Sequence, residues 1–207
     1  MGRHTFLVAT LILGAGVAGA WAQAPAAAPA KRSEAETKAL AKIRAMGGFA
    51  MELAQNDSRL EVSFHLMDKE ITKEHLVPLK DLKGVVHLNL RGRAVTDDML
   101  EQIKGLTDLT RLHLEKTKVT DKGLVHLKGM VNLEYLNLYG TGVTDAGLAQ
   151  LAGLKKLKSL YLWQTKVTDA GVAKLKKALP QVQVIRGLDA AKPKDTTSKA
   201  DPKKKDK

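Results

Sequence analysis

Four leucines at a fixed interval constrain this chain more than any other feature. Leu88, Leu112, Leu136 and Leu160 stand 24 residues apart, and Leu90, Leu114, Leu138 and Leu162 follow at the same step. The period continues through Val95, Val119, Val143 and Val167, then Thr96, Thr120, Thr144 and Thr168, then Asp97, Asp121, Asp145 and Asp169. A weaker copy precedes them, with Phe64, Leu66, Ile71, Thr72, Leu76 and Leu79 at the same offsets and Lys73 in place of the aspartate. A partial copy follows, in which Val182 to Arg186 holds the strand position. One unit of this length cannot bury its apolar face alone, so the copies must stack around a continuous core.

Within a unit, Leu136-Asn137-Leu138 alternates, so the leucines enter the core and the residue between them faces out, as in a short parallel strand. Strands are expected near 62–66, 86–90, 110–114, 134–138 and 158–162. Thr144 then stands where an N-cap hydroxyl satisfies free amides, and Asp145 adds negative charge to the first helical turn. Leu148 and Leu151 follow at helical spacing and point back at the strand. Thr117, Thr141 and Thr165 fall in the turn after the strand, where a hydroxyl is expected to bond backbone groups of adjacent coils. Upstream, Ser33 and Glu36 form a capping box ahead of Ala39, Leu40, Ile43 and Met46, a helix stopped by Gly47-Gly48 that would cover the first coil. Phe49, Met51 and Leu53 alternate as in a short edge strand, and the helix from Ala170 to Leu179, closed by Pro180, leads to a last strand at Val182 to Ile185.

The strings Thr117-Lys-Val-Thr-Asp-Lys-Gly-Leu124, Thr141-Gly-Val-Thr-Asp-Ala-Gly-Leu148 and Thr165-Lys-Val-Thr-Asp-Ala-Gly-Val172 resemble the T-x-V-T-D-x-G-L unit of ribonuclease-inhibitor-like leucine-rich repeats of exported bacterial proteins. The resemblance runs from about Val62 to Arg186. It implies an α/β fold, a solenoid with a curved parallel sheet on the concave side and short helices on the convex side, with ligands taken on the concave sheet. It implies neither an enzyme activity nor a fixed ligand. Arg93 and Lys69 depart from the pattern by standing at the turn-threonine position of the first two copies, so a hydroxyl ladder would be incomplete there.

The flanks read differently. Arg3, an uncharged stretch from Phe6 to Ala20 and the small-x-small Ala20-Trp21-Ala22 make residues 1–22 a secretory signal peptide. That stretch, interrupted by Gly14, Gly16 and Gly19, is shorter than the ~20 apolar residues needed to span a bilayer. Nothing later is apolar enough for a span, so no transmembrane segment is expected in the mature chain. An Ala/Pro linker is expected over 23–32, an N-terminal cap over 33–61, the solenoid over 62–188 and a disordered Lys-rich tail over 189–207. The chain has no cysteine, which excludes disulfides, thiolate metal sites, cysteine nucleophiles and a cysteine-linked lipid anchor.

Function is sought on the outward strand positions, which are Ser63, His65 and Met67, then His87, Asn89 and Arg91, then Arg111, His113 and Glu115, then Tyr135, Asn137 and Tyr139, then Ser159, Tyr161 and Trp163. All three tyrosines fall here, together with the one tryptophan outside the signal peptide. An aromatic cluster on an exposed sheet is typical of a binding hot spot. The expected partner-binding residues are Tyr135, Tyr139, Tyr161, Trp163, Arg111, Asn137, His113 and Arg91. Arg91 would pair with Glu115 across the strands, and Arg111 would lie on the Tyr135 ring. His65, His87 and His113 are diagonal neighbours whose spacing permits a metal, but no carboxylate supports them, and neither a metal nor another cofactor is expected. Ser63 beside these histidines lacks an acid partner, so no catalysis is expected. The expected function is that of a non-catalytic exported module that binds a protein partner. The alternative is a cell-envelope polyanion or glycan binder using the aromatic platform and Lys155, Lys156, Lys158, Lys174, Lys176 and Lys177, in a chain of formal net charge +12. Nucleic acid is not an expected partner of an exported protein.

Overall fold

The computed structural model describes residues 32–55 and 57–187. The expected signal peptide (1–22), the expected linker apart from Arg32 and the expected tail (189–207) lie outside the described residues. Helix α1 (Glu34–Ala45) leads to strands β1 (Phe49–Glu52) and β2 (Leu60–Ser63), followed by α2 (Lys73–Leu76), β3 (Val85–Asn89), α3 (Asp97–Leu100), β4 (Arg111–His113), α4 (Asp121–Leu124), β5 (Tyr135–Asn137), α5 (Asp145–Leu148), β6 (Ser159–Tyr161), α6 (Asp169–Ala178) and β7 (Gln183–Ile185). The strands form one sheet in sequence order. β1 runs antiparallel to β2, and β2 to β7 run parallel. Leu88, Leu112, Leu136, Leu160 and Val184 are level across the sheet, so the sequence period becomes a straight apolar column. The leucines of that column are fully buried, as are Leu90, Leu114 and Leu138 beside them.

At the front, Glu36 Oε2 accepts from Ser33 N and Oγ while Ser33 Oγ accepts from Glu36 N, which starts α1. Ala39, Leu40 and Ile43 of α1 pack onto the core.

The first coil departs from the expected register. Val62, not Phe64, is level with Leu88, and Ser63 is level with Asn89. A shift of two residues keeps each side chain on its face, so Val62 and Phe64 are both fully buried. The surplus is taken up between Phe64 and Ile71. Leu66, expected in the core, is 80% exposed there, while Met67, expected on the outer face, is buried. Arg93 braces this enlarged loop by donating from Nη1 to Met67 O at 2.6 Å and to Lys69 O at 3.4 Å. The residue that breaks the threonine pattern therefore has a structural task of its own.

The threonines also divide their work differently from expectation. Thr117, Thr141 and Thr165 donate from Oγ1 to Leu114 O, Leu138 O and Leu162 O at 2.7–2.8 Å, bonds within their own coil. The neighbouring coils are joined by the helix-capping threonines. Thr120 donates from N and Oγ1 to the two carboxylate oxygens of Asp97, at 2.7 and 2.6 Å. Thr144 does the same to Asp121, and Thr168 to Asp145. Each aspartate thus serves the following coil, through charge-assisted bonds that hold repeat to repeat.

This ladder explains the glycine of the repeat. A Cβ on Gly123, Gly147 or Gly171 would lie 2.5, 2.2 or 2.1 Å from Oδ1 of Asp97, Asp121 or Asp145. In the one coil whose predecessor has Lys73 instead of aspartate, the glycine position is occupied by Met99, which packs on the core.

Candidate functional site

The outer face of the sheet carries three columns. His87, Arg111, Tyr135, Ser159 and Gln183 are level, as are Asn89, His113, Asn137, Tyr161 and Ile185. The third column follows the strands and includes Arg91, Glu115, Tyr139, Trp163 and Gly187. Alternation along β4, β5 and β6 turns these side chains away from the leucines.

Two groups of rings result. Tyr135 lies at the centre of the first, 4.8 Å from the His113 ring and 5.2 Å from that of Tyr161, both tilted. The Arg111 guanidinium sits 5.0 Å from the Tyr135 centroid. Burial raises the Tyr135 hydroxyl above its ordinary pKa, and the hydrogen bond with Asn137 opposes that shift. In the second group, Tyr139 and Trp163 stack at 5.1 Å with 19° between their planes. Rings stacked between level positions on adjacent strands stand upright on the sheet and present their edges outward. Lys116 Nζ lies 5.6 Å from the Tyr139 centroid. At Gly187 a Cβ would come within 2.5 Å of Trp163 Cδ1, so only glycine lets the backbone approach the indole this closely. Trp163 remains 50% exposed.

Between the groups lies a polar network. Glu115 is only 6% exposed. Its Oε1 lies 2.8 Å from His113 Nδ1 and accepts from Asn137 Nδ2 at 2.7 Å. Asn137 Nδ2 also approaches Tyr135 OH at 3.2 Å, and Asn137 Oδ1 accepts from Tyr139 N at 3.0 Å. The amide of Asn137 thereby fixes two tyrosines, one through its ring hydroxyl and one through its backbone. The expected Arg91–Glu115 ion pair does not form, because Glu115 turns inward to His113 and Asn137. Glu115 Oε2 is buried without a hydrogen-bond partner among the described residues.

The shifted first coil also separates the histidines. His87 is level with Glu61, its Nδ1 3.7 Å from Glu61 Oε2, and His65 bonds through Nδ1 to Ser63 Oγ. Among the described residues no group of three His, Cys, Asp or Glu side chains is placed to hold a metal ion. Burial lowers the pKa of His87, and Glu61 partly offsets this.

Two contributors escaped the sequence reading. Phe49 of β1 is level with Ser63 and 54% exposed on the same face, at the opposite end from Trp163. Its alternation with Ala50 was a readable signal. Lys116 takes a left-handed backbone, with φ of 54°, which nothing in its residue type announces.

Residues 105–127 match the family profile described as "Leucine Rich repeat". They span all but one residue of a 24-residue coil, and the other coils repeat its columns. The described residues fold as a leucine-rich repeat solenoid. No curated protein matches it. Among solved structures, an internalin of Listeria monocytogenes is 23% identical, with 63% of this chain and 35% of that chain covered and a TM-score of 0.49. A leucine-rich repeat protein of Leptospira interrogans is 20% identical, covering 56% of this chain and 33% of its own, with a TM-score of 0.37. The tropomodulin C-terminal domain of Caenorhabditis elegans is 13% identical, covering 72% and 93%, with a TM-score of 0.45. The chain spans about a third of the internalin's length.

Half of the lysines noted in the sequence are engaged internally. Lys155 donates to Ala178 O at 3.0 Å, Lys156 to Asn132 Oδ1 at 2.7 Å and Lys158 to Glu134 at 2.8 Å. No helix among the described residues is long and apolar enough to cross a membrane.

Proposed function

We propose that this leucine-rich repeat protein is an exported, non-catalytic module that binds a protein partner on the concave face of its sheet. The observation that carries the reading is the row Lys116, Tyr139, Trp163, Gly187, in which an upright, half-exposed indole is held between a tyrosine ring and a glycine backbone. A solenoid gains no core packing from rings on its outer face, whereas a preorganised aromatic edge lowers the ordering cost of association. Asn137 and Glu115 supply the same preorganisation to the Tyr135 group.

The row also bears on the glycan alternative. Face-on sugar stacking needs an open ring face, and Trp163 has Tyr139 on one side and Gly187 on the other. Ring edges, the indole N–H and the tyrosine hydroxyls suit peptide groups better. Export rests on the features of residues 1–22.

The test is the double variant Tyr139→Ala, Trp163→Ala. Capture of a partner from an envelope extract should be lost, since a hot-spot truncation costs ~2 kcal/mol or more in binding. The midpoint of denaturant unfolding should change little. Unchanged capture by the folded variant would refute the proposal. Capture that falls steeply between low and high salt, yet survives the double variant, would favour the polyanion alternative.

A further inference from the structure

The end of the concave face opposite Trp163 carries a second apolar feature. Leu66 is 80% and Phe49 54% exposed, and both line a cleft of about 460 Å³ together with Ser63 and His65. Leu66 reaches solvent because the first coil is longer than the others, and Arg93 pins the loop that displays it through Met67 O and Lys69 O. A leucine this exposed adds little to the core, and with Phe49 in the same cleft it makes an apolar patch rather than a lone exposed residue.

Between the two ends the face is basic. Among the described residues Arg91, Arg111 and Lys116 have no carboxylate within ion-pair distance; Arg111 and Lys116 lie on tyrosine rings instead. Glu115 is turned inward to His113 and Asn137, and Glu61 faces His87. Phe49 on β1 and Trp163 in line with β6 are five strand spacings apart, about 24 Å at ~4.8 Å per strand. An extended chain of about seven residues covers that distance.

From this arrangement we infer that the partner contributes an extended acidic segment with an apolar residue at each end, one seated at Tyr139 and Trp163 and the other at Phe49 and Leu66. The inference rests on the concave-face reading above. The acidic centre supplies the carboxylates that Arg91, Arg111 and Lys116 lack, and the two apolar ends set its register.

The experiment uses the full chain and fluorescein-labelled synthetic peptides of about ten residues, sized from the extended span. One has a Glu-rich centre with Phe and Leu ends, the second the same ends with a Lys-rich centre, and the third the Glu-rich centre with Gly ends. Fluorescence anisotropy should show binding of the first peptide alone. Phe49→Ser, Leu66→Ser should weaken it by roughly tenfold or more, as should Tyr139→Ala, Trp163→Ala. Arg91→Gln, Arg111→Gln should weaken it and flatten its salt dependence. Circular dichroism confirms that each variant is folded, and Leu66→Ser alone provides a milder, charge-neutral disruption of the same anchor. If the Phe49, Leu66 variant and Leu66→Ser bind as the wild type while the Tyr139, Trp163 variant does not, the second anchor is refuted and the concave-face reading stands. Equal binding of the Lys-centred peptide refutes the acidic assignment. Failure of all three peptides overturns the inference, and the envelope capture experiment then decides the concave-face reading separately.

Discussion

Arg186 donates from Nη1 to Asp169 Oδ1 and from Nη2 to Val167 O, the latter at 3.1 Å. It thereby takes the place that a threonine of a following coil holds at Asp97, Asp121 and Asp145. The guanidinium closes the inter-coil ladder at the end where the repeat runs out. Replacing Arg186 with Ala should lower the unfolding midpoint and increase hydrogen exchange in β7 more than in β4. Uniform exchange across the sheet would show that Arg186 does not secure the last strand.

The glycine of the repeat gives a paired test. Gly147→Ala places a methyl 2.2 Å from Asp121 Oδ1 and should cost ~1–3 kcal/mol through overpacking. Gly153→Ala meets nothing within 4 Å and should stay within about 0.5 kcal/mol of the wild type. Denaturant titrations of the two variants decide the point, and equal effects would sink the ladder as the reason for glycine.

Acid should weaken the same ladder. Bonds from the Thr168 hydroxyl and then its backbone N–H hold the Asp145 carboxyl below its ordinary value of 3.8. A carboxyl whose pKa is depressed on folding contributes stability above its unfolded pKa and loses it as pH falls through the folded one. Stability should therefore fall below about pH 4. In Thr168→Val, which removes the largest cause of the shift, the fall should be shallower. An unchanged acid limb in urea titrations from pH 5 to pH 2 would contradict this.

His87 should titrate below its ordinary 6.5, chiefly because burial penalises the imidazolium, with Arg111 adding to the shift and Glu61 opposing it. A histidine depressed on folding contributes stability above its unfolded pKa and loses it as pH falls toward the folded value. Imidazole resonances followed by NMR should place His87 below 6.5 in the wild type, and higher in Arg111→Gln than in the wild type. A downward move in that variant would contradict the electrostatic assignment.

Leu136 tests the common core. It is fully buried and level with Leu112 and Leu160. Leu136→Ala should cost ~2–5 kcal/mol. Because each coil contacts its neighbours, exchange protection should also drop in β4 and β6.

The columns from Leu88 to Leu160 could be read from spacing alone because each unit has the same length and the same helical caps. The first coil could not, because Phe64 and Leu66 fit the period by chance while Met67 supplies the buried contact. The alternation that placed Tyr135, Tyr139, Tyr161 and Trp163 on one face was legible, since a strand admits only two directions. The inward turn of Glu115 was not, because it depends on His113 and Asn137 approaching from two different strands. Equally hidden was the passage of the ladder from one coil to the next. Spacing placed Thr120 and Asp97 in successive units, but only stacking brings them to 2.6 Å.

The rule linking Asp97, Gly123 and their successors makes the chain extensible. Excising residues 121–144 would present Asp97 to the hydroxyl of a threonine and to Gly147, the same surroundings it has now, and duplicating that stretch would do likewise. Whole units can therefore be gained or lost by in-frame recombination with every rung remade. The joint between Lys73 and Met99 is different, because an aspartate brought there would meet the methionine side chain rather than a glycine. Length can vary in the middle of this solenoid, while its opening coil, with the loop that displays Leu66, is inherited as a single piece.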